Sequence, residues 1–226
     1  SDGTLVAWGA YQSELPAGLT GVSKISASRD HVLALKTNGT VVAWGDNSQG
    51  QCNVPAGLTN VVAVAAGGLG SVALKSDGTV SAFGTNNDGQ TNVPPGLNNV
   101  VAVSAGGYHT LALKSDGTVV AWGSNWQGQS SIPAGLSGVV AISAGRAHNL
   151  ALKSDGTVVA WGINDNYQTT IPVGLTGIVA ISAGEYYSMA LKSDGTVVVW
   201  GMGNYPPADL TNVVAISAGE SHSLAL

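Results

Sequence analysis

Four histidines, His31, His109, His148 and His222, are the side chains of this chain best suited to acid–base or metal chemistry. Each stands at the same place in one copy of a recurring motif, and Gly70 and Tyr187 take that place in two further copies. Equivalent positions spread around a repeat array cannot converge on one metal or one substrate. A structural role is therefore expected, with the imidazole bonding the backbone of a neighbouring loop. The segment 46–50, Asp-Asn-Ser-Gln-Gly, has the polar character of a cation loop but lacks the alternating carboxylates and closing Glu that calcium requires. Asp165 and Glu185 are a carboxylate pair of the kind used in glycoside hydrolysis, yet nothing in their spacing brings them within the few ångströms that chemistry needs. Cys52 is the one cysteine, so no internal disulfide can form, and it reads as a small residue near a loop. No Ser-His-Asp set, zinc spacing or phosphate loop is present. The chain is expected to be non-catalytic, with no cofactor and no metal.

The elements that position these residues are copies of one unit. The run LALKSDGTVVAWG at Leu111–Gly123 recurs letter for letter at Leu150–Gly162, with near copies at Leu33–Gly45, Val72–Gly84 and Met189–Gly201. Its turn glycine falls at positions 3, 39, 78, 117, 156 and 195, at intervals of 36, 39, 39, 39 and 39 residues. A period near 40 with strand-like content is the signature of a propeller or another stacked β-repeat. Val100–Gly106 reads as strand A, His109–Lys114 as strand B and Thr118–Gly123 as strand C, with Asp116-Gly117 supplying the hairpin turn. Gln129–Pro133 reads as a short outer strand D. All eight prolines lie in or beside this segment, where a missing N–H costs an edge strand little.

Strand C stands at the start of the chain without A and B, and Val213–Leu226 supplies A and B without C. Together they complete a blade. The expected architecture is a single all-β domain, a six-bladed β-propeller of four-stranded antiparallel blades, closed by pairing the terminal strands. The blades are 22–55, 61–94, 100–133, 139–172 and 178–208, with 213–226 plus 1–16 as the closing blade. Five strand C copies end in Trp (8, 44, 122, 161 and 200) and the sixth in Phe83, which are expected to wedge between neighbouring blades. A chain that begins and ends inside the repeat is what a trimmed, processed or engineered repeat would show.

In a four-strand meander, the A–B and C–D loops share one face and the B–C turns and D–A crossovers the other. The turn face is monotonous, with five lysines against five aspartates in its KSDG-like turns. The other face varies. It carries all six tyrosines, the loop tryptophan Trp126, and six carboxylates (Asp30, Asp46, Asp88, Asp165, Glu185 and Glu220) against Arg29 and Arg146. Aromatic rings among scattered charges suit a binding surface. The net charge of −5 disfavours nucleic acid, and no apolar run is long enough to span a membrane as a helix.

The run AGGYHTLALKSDGTVVAWGSNWQGQ resembles the repeat of the regulator of chromosome condensation family, in which AG-x-x-H, DG-x-V-x-x-WG and N-x-x-GQ recur blade after blade. The resemblance covers essentially the whole chain and implies a β-propeller. The wording VVAWGDNSQGQCNVP is also similar to a secreted bacterial β-lactamase inhibitor of the same repeat class, which caps class A β-lactamases with aromatic residues from one loop face. That likeness implies a class A β-lactamase-like enzyme as protein partner and an extracellular or secreted location. The matching slots are Tyr108, Trp126, Arg146, Asp165, Tyr167, Tyr186 and Tyr187. The sequence is thus expected to encode a monomeric protein-binding module. A glycan-binding propeller and a structural or engineered scaffold are the alternatives.

Overall fold

The computed structural model describes residues 3, 5, 6, 14–203, 205–207 and 209–226. Trp8, Tyr11 and most of the first strand C copy lie outside the described residues. Five units repeat one three-stranded antiparallel sheet. They are β1 (Val22–Ala27), β2 (His31–Lys36) and β3 (Val41–Gly45); β4 (Val61–Ala66), β5 (Gly70–Lys75) and β6 (Val80–Gly84); β7 (Val100–Ala105), β8 (His109–Lys114) and β9 (Val119–Gly123); β10 (Val139–Ala144), β11 (His148–Lys153) and β12 (Val158–Gly162); and β13 (Ile178–Ala183), β14 (Tyr187–Lys192) and β15 (Val197–Gly201). A two-stranded sheet follows, β16 (Ile216–Ala218) with β17 (Ser223–Ala225). Among the described residues there is no α-helix, and so none that could cross a membrane.

Local chemistry explains each hairpin. In the third unit Gly117 takes φ +78°, and Asp116 Oδ1 accepts from the Thr118 backbone N–H at 3.0 Å and the Thr118 hydroxyl at 2.6 Å. This reverses the chain between β8 and β9 in the register Leu113 opposite Val119. Strand A pairs with the other side of strand B through a register shift after its first residue, as between Val100 and Ala102. The middle strand is covered on both faces by neighbouring units, and Leu111, Ala112, Leu150 and Ala151 are fully buried. That accounts for the nearly continuous apolar runs where a one-sided sheet would alternate.

The expected fourth strand is absent. Gln129–Pro133 is a run of turns and irregular backbone. Its donors are taken locally: Ser130 N–H donates to Asn125 Oδ1 at 2.9 Å, Ser131 N–H to Gly128 O at 3.1 Å, and Leu136 N–H to Pro133 O at 3.2 Å. The Asn side chain offers this backbone a closer acceptor than a ladder would, and Pro133 has no N–H to give. The blades are therefore three-stranded.

The aromatic wedge is as expected. Trp44, Phe83, Trp122, Trp161 and Trp200 are all buried. Trp161 packs with Leu111, Leu113 and Val119 of the preceding unit, and Trp200 with Leu150, Leu152 and Val158. Their indole N–H groups donate backwards across the same seam, Trp161 to Gln129 O at 3.0 Å and Trp200 to Gln168 O at 2.9 Å.

Two contacts are made at the margins of the array, the first between the N-terminal segment and the first unit. Gly3 O accepts from Val22 N–H at 3.2 Å, as Gly39 O accepts from Val61 N–H at 3.0 Å one unit later. Arg29 Nη1 lies 3.4 Å from Glu220 Oε1, joining the first unit to the last sheet.

Candidate functional site

The histidine slot is a blade-to-blade clamp. His31 Nε2 meets the Ser71 hydroxyl at 2.8 Å, His148 Nε2 the Ser188 hydroxyl at 3.0 Å, and His109 Nε2 donates to Asn149 Oδ1 at 2.6 Å. Each partner lies on the next unit and reaches back to the glutamine carbonyl of the histidine's own unit: Ser71 to Gln51 O, Asn149 to Gln129 O and Ser188 to Gln168 O, at 2.7–2.8 Å. The structural role is seen for His31, His109 and His148, where the direct partner is a side chain on the neighbouring strand B rather than loop backbone, whereas His222 is exposed. Burial pushes all three imidazoles down to about 4. Nδ1 of His109 and of His148 has no partner among the described residues, so a second proton there would be unsatisfied.

Tyr187 occupies this same slot and is 1% exposed. Its hydroxyl donates to His222 O at 2.6 Å. The expectation that it faces a partner is corrected: the first residue of β14 points into the blade seam, while Tyr186 before it points out.

The A–B and C–D loops do gather on one side. They enclose an open cavity of about 370 Å³ lined by Tyr108, Trp126, Arg146, Glu185, Tyr186 and Asp88, among others. Four of the seven residues singled out from the sequence, Tyr108, Trp126, Arg146 and Tyr186, thus share one cavity although they span three repeats. Asp165 and Tyr167 lie on the next C–D loop and do not line it. Tyr167 is exposed and takes φ +62°, the left-handed conformation that Gly50, Gly89 and Gly128 supply in the other loops.

Arg146 organises one end of the cavity. Its Nη1 donates to Glu185 Oε1 at 2.9 Å and to the Tyr186 hydroxyl, and its guanidinium carbon lies 5.4 Å from the Tyr186 ring centre. Hydrogen bonding to Glu185 pushes the Tyr186 phenol up from its ordinary value. Glu220 is also raised, by burial first and then by Glu185 beside it. Trp126, which lines the same cavity, is 87% exposed. The Asp88 carboxylate has no hydrogen bond or ion pair among the described residues.

Asp88 and Glu185 were expected on this face from the sequence but were not among the seven residues singled out as its contacts. The available signal was that residues one repeat apart in the same loop slot, such as 146 and 185, are spatial neighbours. Two further polar candidates have local surroundings that account for them. Asp46 spends its carboxylate on Ser48 and Gln51, and burial raises the Cys52 thiol. No group of three or more His, Cys, Asp or Glu among the described residues is placed to hold a metal.

The regulator of chromosome condensation (RCC1) repeat matches residues 22–51, 61–90, 100–129, 139–168 and 178–205. The chain belongs to the RCC1 repeat family. Among solved structures it is similar to Prp20p of Saccharomyces cerevisiae, at 22% identity and a TM-score of 0.73, over 90% of this chain and 68% of that one. It is also similar to the entire ectodomain of the receptor kinase CR4 of Physcomitrella patens, at 22% identity and a TM-score of 0.78, over 93% of this chain and 60% of that one. Human WBSCR16 matches at 22% identity and a TM-score of 0.72, over 91% of this chain and 71% of that one. This RCC1-repeat chain thus spans less than two thirds of the moss ectodomain. No curated protein matches at the level of sequence. At these identities the likeness speaks for the fold, a β-propeller of the RCC1 type.

Proposed function

We propose that this RCC1-repeat propeller is a non-catalytic protein-binding module whose contact surface is the A–B and C–D loop face. The observation that carries the reading is Trp126. Its indole is 87% exposed beside Tyr108, Arg146 and Tyr186. The other described loops hold Ser48, Asn87 or Asp165 in its place. Large aromatics and arginine gathered at a cavity are the residue types that dominate binding energy at protein interfaces. Prp20p, a relative in fold, is described by its binding to Gsp1p and histones, which supports protein recognition as a use of such propellers. The concrete partner suggested by the resemblance of the loops is a class A β-lactamase-like enzyme, and with it a secreted location. Nanomolar to micromolar protein is expected to inhibit such an enzyme acting on a chromogenic substrate, and Trp126→Ala to relieve the inhibition. Absence of inhibition at micromolar protein would remove that partner.

The reading includes a closed six-bladed ring. The Gly3–Val22 hydrogen bond repeats the contact between successive units, and the Arg29–Glu220 pair spans the join, which supports closure. A closed disc of this length is expected to give a radius of gyration of about 17 Å by small-angle scattering. A clearly larger value would indicate an open array.

A further inference from the structure

We propose that the cavity between Trp126 and Tyr186 receives a basic side chain, an arginine or lysine projecting from the partner protein. The inference rests on the reading of this face as the binding surface and names what that surface recognises. The cavity already holds one basic side chain and has the groups to take another. Tyr186 and Glu185 hold a guanidinium, that of Arg146, stacked 5.4 Å from the ring centre and bonded to the carboxylate at 2.9 Å. Trp126, Tyr108 and Asp88 line the same cavity, and among the described residues no cation pairs with the Asp88 carboxylate. An aromatic face attracts a cation through its quadrupole, and an unpaired carboxylate beside it completes the site.

The surrounding charge points the same way. The two arginines of this face are committed, Arg146 to Glu185 and Arg29 to Glu220 and Asp30. Asp46, Asp88 and Asp165 remain without a cationic partner among the described residues. An approaching basic segment is therefore drawn to this face as a whole, and Asp88 with Trp126 fixes where its charge comes to rest. The lysine-rich turns lie on the opposite side, where Lys75, Lys114, Lys153 and Lys192 are tied to their own aspartates at 3.2–3.4 Å.

The test is a titration of tryptophan fluorescence at low salt with four probes: Ac-Gly-Arg-Gly-amide, Ac-Gly-Lys-Gly-amide, Ac-Gly-Glu-Gly-amide and chitohexaose. A saturable change is expected with the two basic peptides and none with the acidic one. Trp126→Ala should abolish the signal, and Asp88→Asn should weaken binding at least about tenfold. Asp165→Asn, outside the cavity, should leave the midpoint nearly unchanged. No saturable response to either basic peptide overturns the proposal. So does equal weakening by Asp165→Asn and Asp88→Asn, which would mean a diffuse acidic field, and so does a response to chitohexaose alone, which would mean a glycan site. Inhibition of a β-lactamase relieved by Trp126→Ala, with no basic-peptide response, would leave the face as a protein-binding surface and remove only the basic side chain.

Discussion

Lowering the pH from 7 to 4 is expected to destabilise this protein steeply, with most of the loss between pH 6.5 and 4. His31, His109 and His148 are held neutral by burial, with pKa values lowered from 6.5 to about 4. The unfolded chain takes up protons on these imidazoles below pH 6.5 while the folded chain does not. Stability therefore rises with pH across that window and is fully present above it. Each imidazole accounts for at most about 3 kcal/mol, so three of them rival the whole stability of an ordinary domain. Asp77, Asp155 and Asp194 act lower. Hydrogen bonds from the threonines that follow hold them at about 2, so their contribution is lost only as the pH falls from 3.8 towards 2. The midpoint of thermal unfolding followed by circular dichroism should be flat above pH 6.5 and fall steadily to pH 4. A midpoint unchanged down to pH 4 would contradict the buried, neutral clamp. The substitution His148→Tyr, the residue Tyr187 already provides in the fifth unit, should remove about a third of the slope.

Trp122→Ala should cost about 3–5 kcal/mol and lower the melting midpoint by about 10 °C. The indole is buried against Leu74 of the preceding unit, and Val100 and Ala112 complete the same cluster. Removing it leaves a cavity in a seam whose two walls are held apart by sheet hydrogen bonds, so collapse is restricted. It also removes the indole N–H donated to Gln90 O at 3.0 Å, leaving that buried carbonyl only the longer Thr110 hydroxyl contact at 3.3 Å. Trp122→Phe is the informative control. Phe83 fills the same slot in the second unit without an N–H, so this change should cost only about 1–2 kcal/mol. A melting midpoint unmoved by Trp122→Ala would place the side chain outside the seam.

The strands and turns were legible because their causes are local. An Asp-Gly turn with a threonine two residues after the aspartate determines its own hydrogen bonds, and the register of β8 against β9 follows from it. The absent fourth strand was hidden because Gln129–Pro133 carries short polar and apolar residues that would also suit an edge strand. Only the capture of Ser130 N–H by Asn125 Oδ1 decides against it. Tyr186 and Tyr187 show the same limit on the scale of one residue. They are neighbours in the chain, yet Tyr186 stands in the bend before β14 and lines the cavity, while Tyr187 opens β14 and is buried in the seam. The occupancy of the histidine slot was the sequence signal that set Tyr187 apart.

What the sequence determined by itself is the repeat: its period, its three strands, its turn chemistry and the aromatic that closes each seam. These depend on residues within a few positions of one another, or on copies of the same residues. What only the tertiary structure decided is the site. Asp88, Trp126, Arg146 and Glu185 lie in four separate loops, and they share a cavity because successive units stack with their loops on one side. No single repeat contains the cavity, and the pairing of Arg146 with Glu185 appears only when one unit is set beside the next. The reason is geometric: each loop donates one or two side chains, and stacking turns a separation of 39 residues into one of hydrogen-bond length.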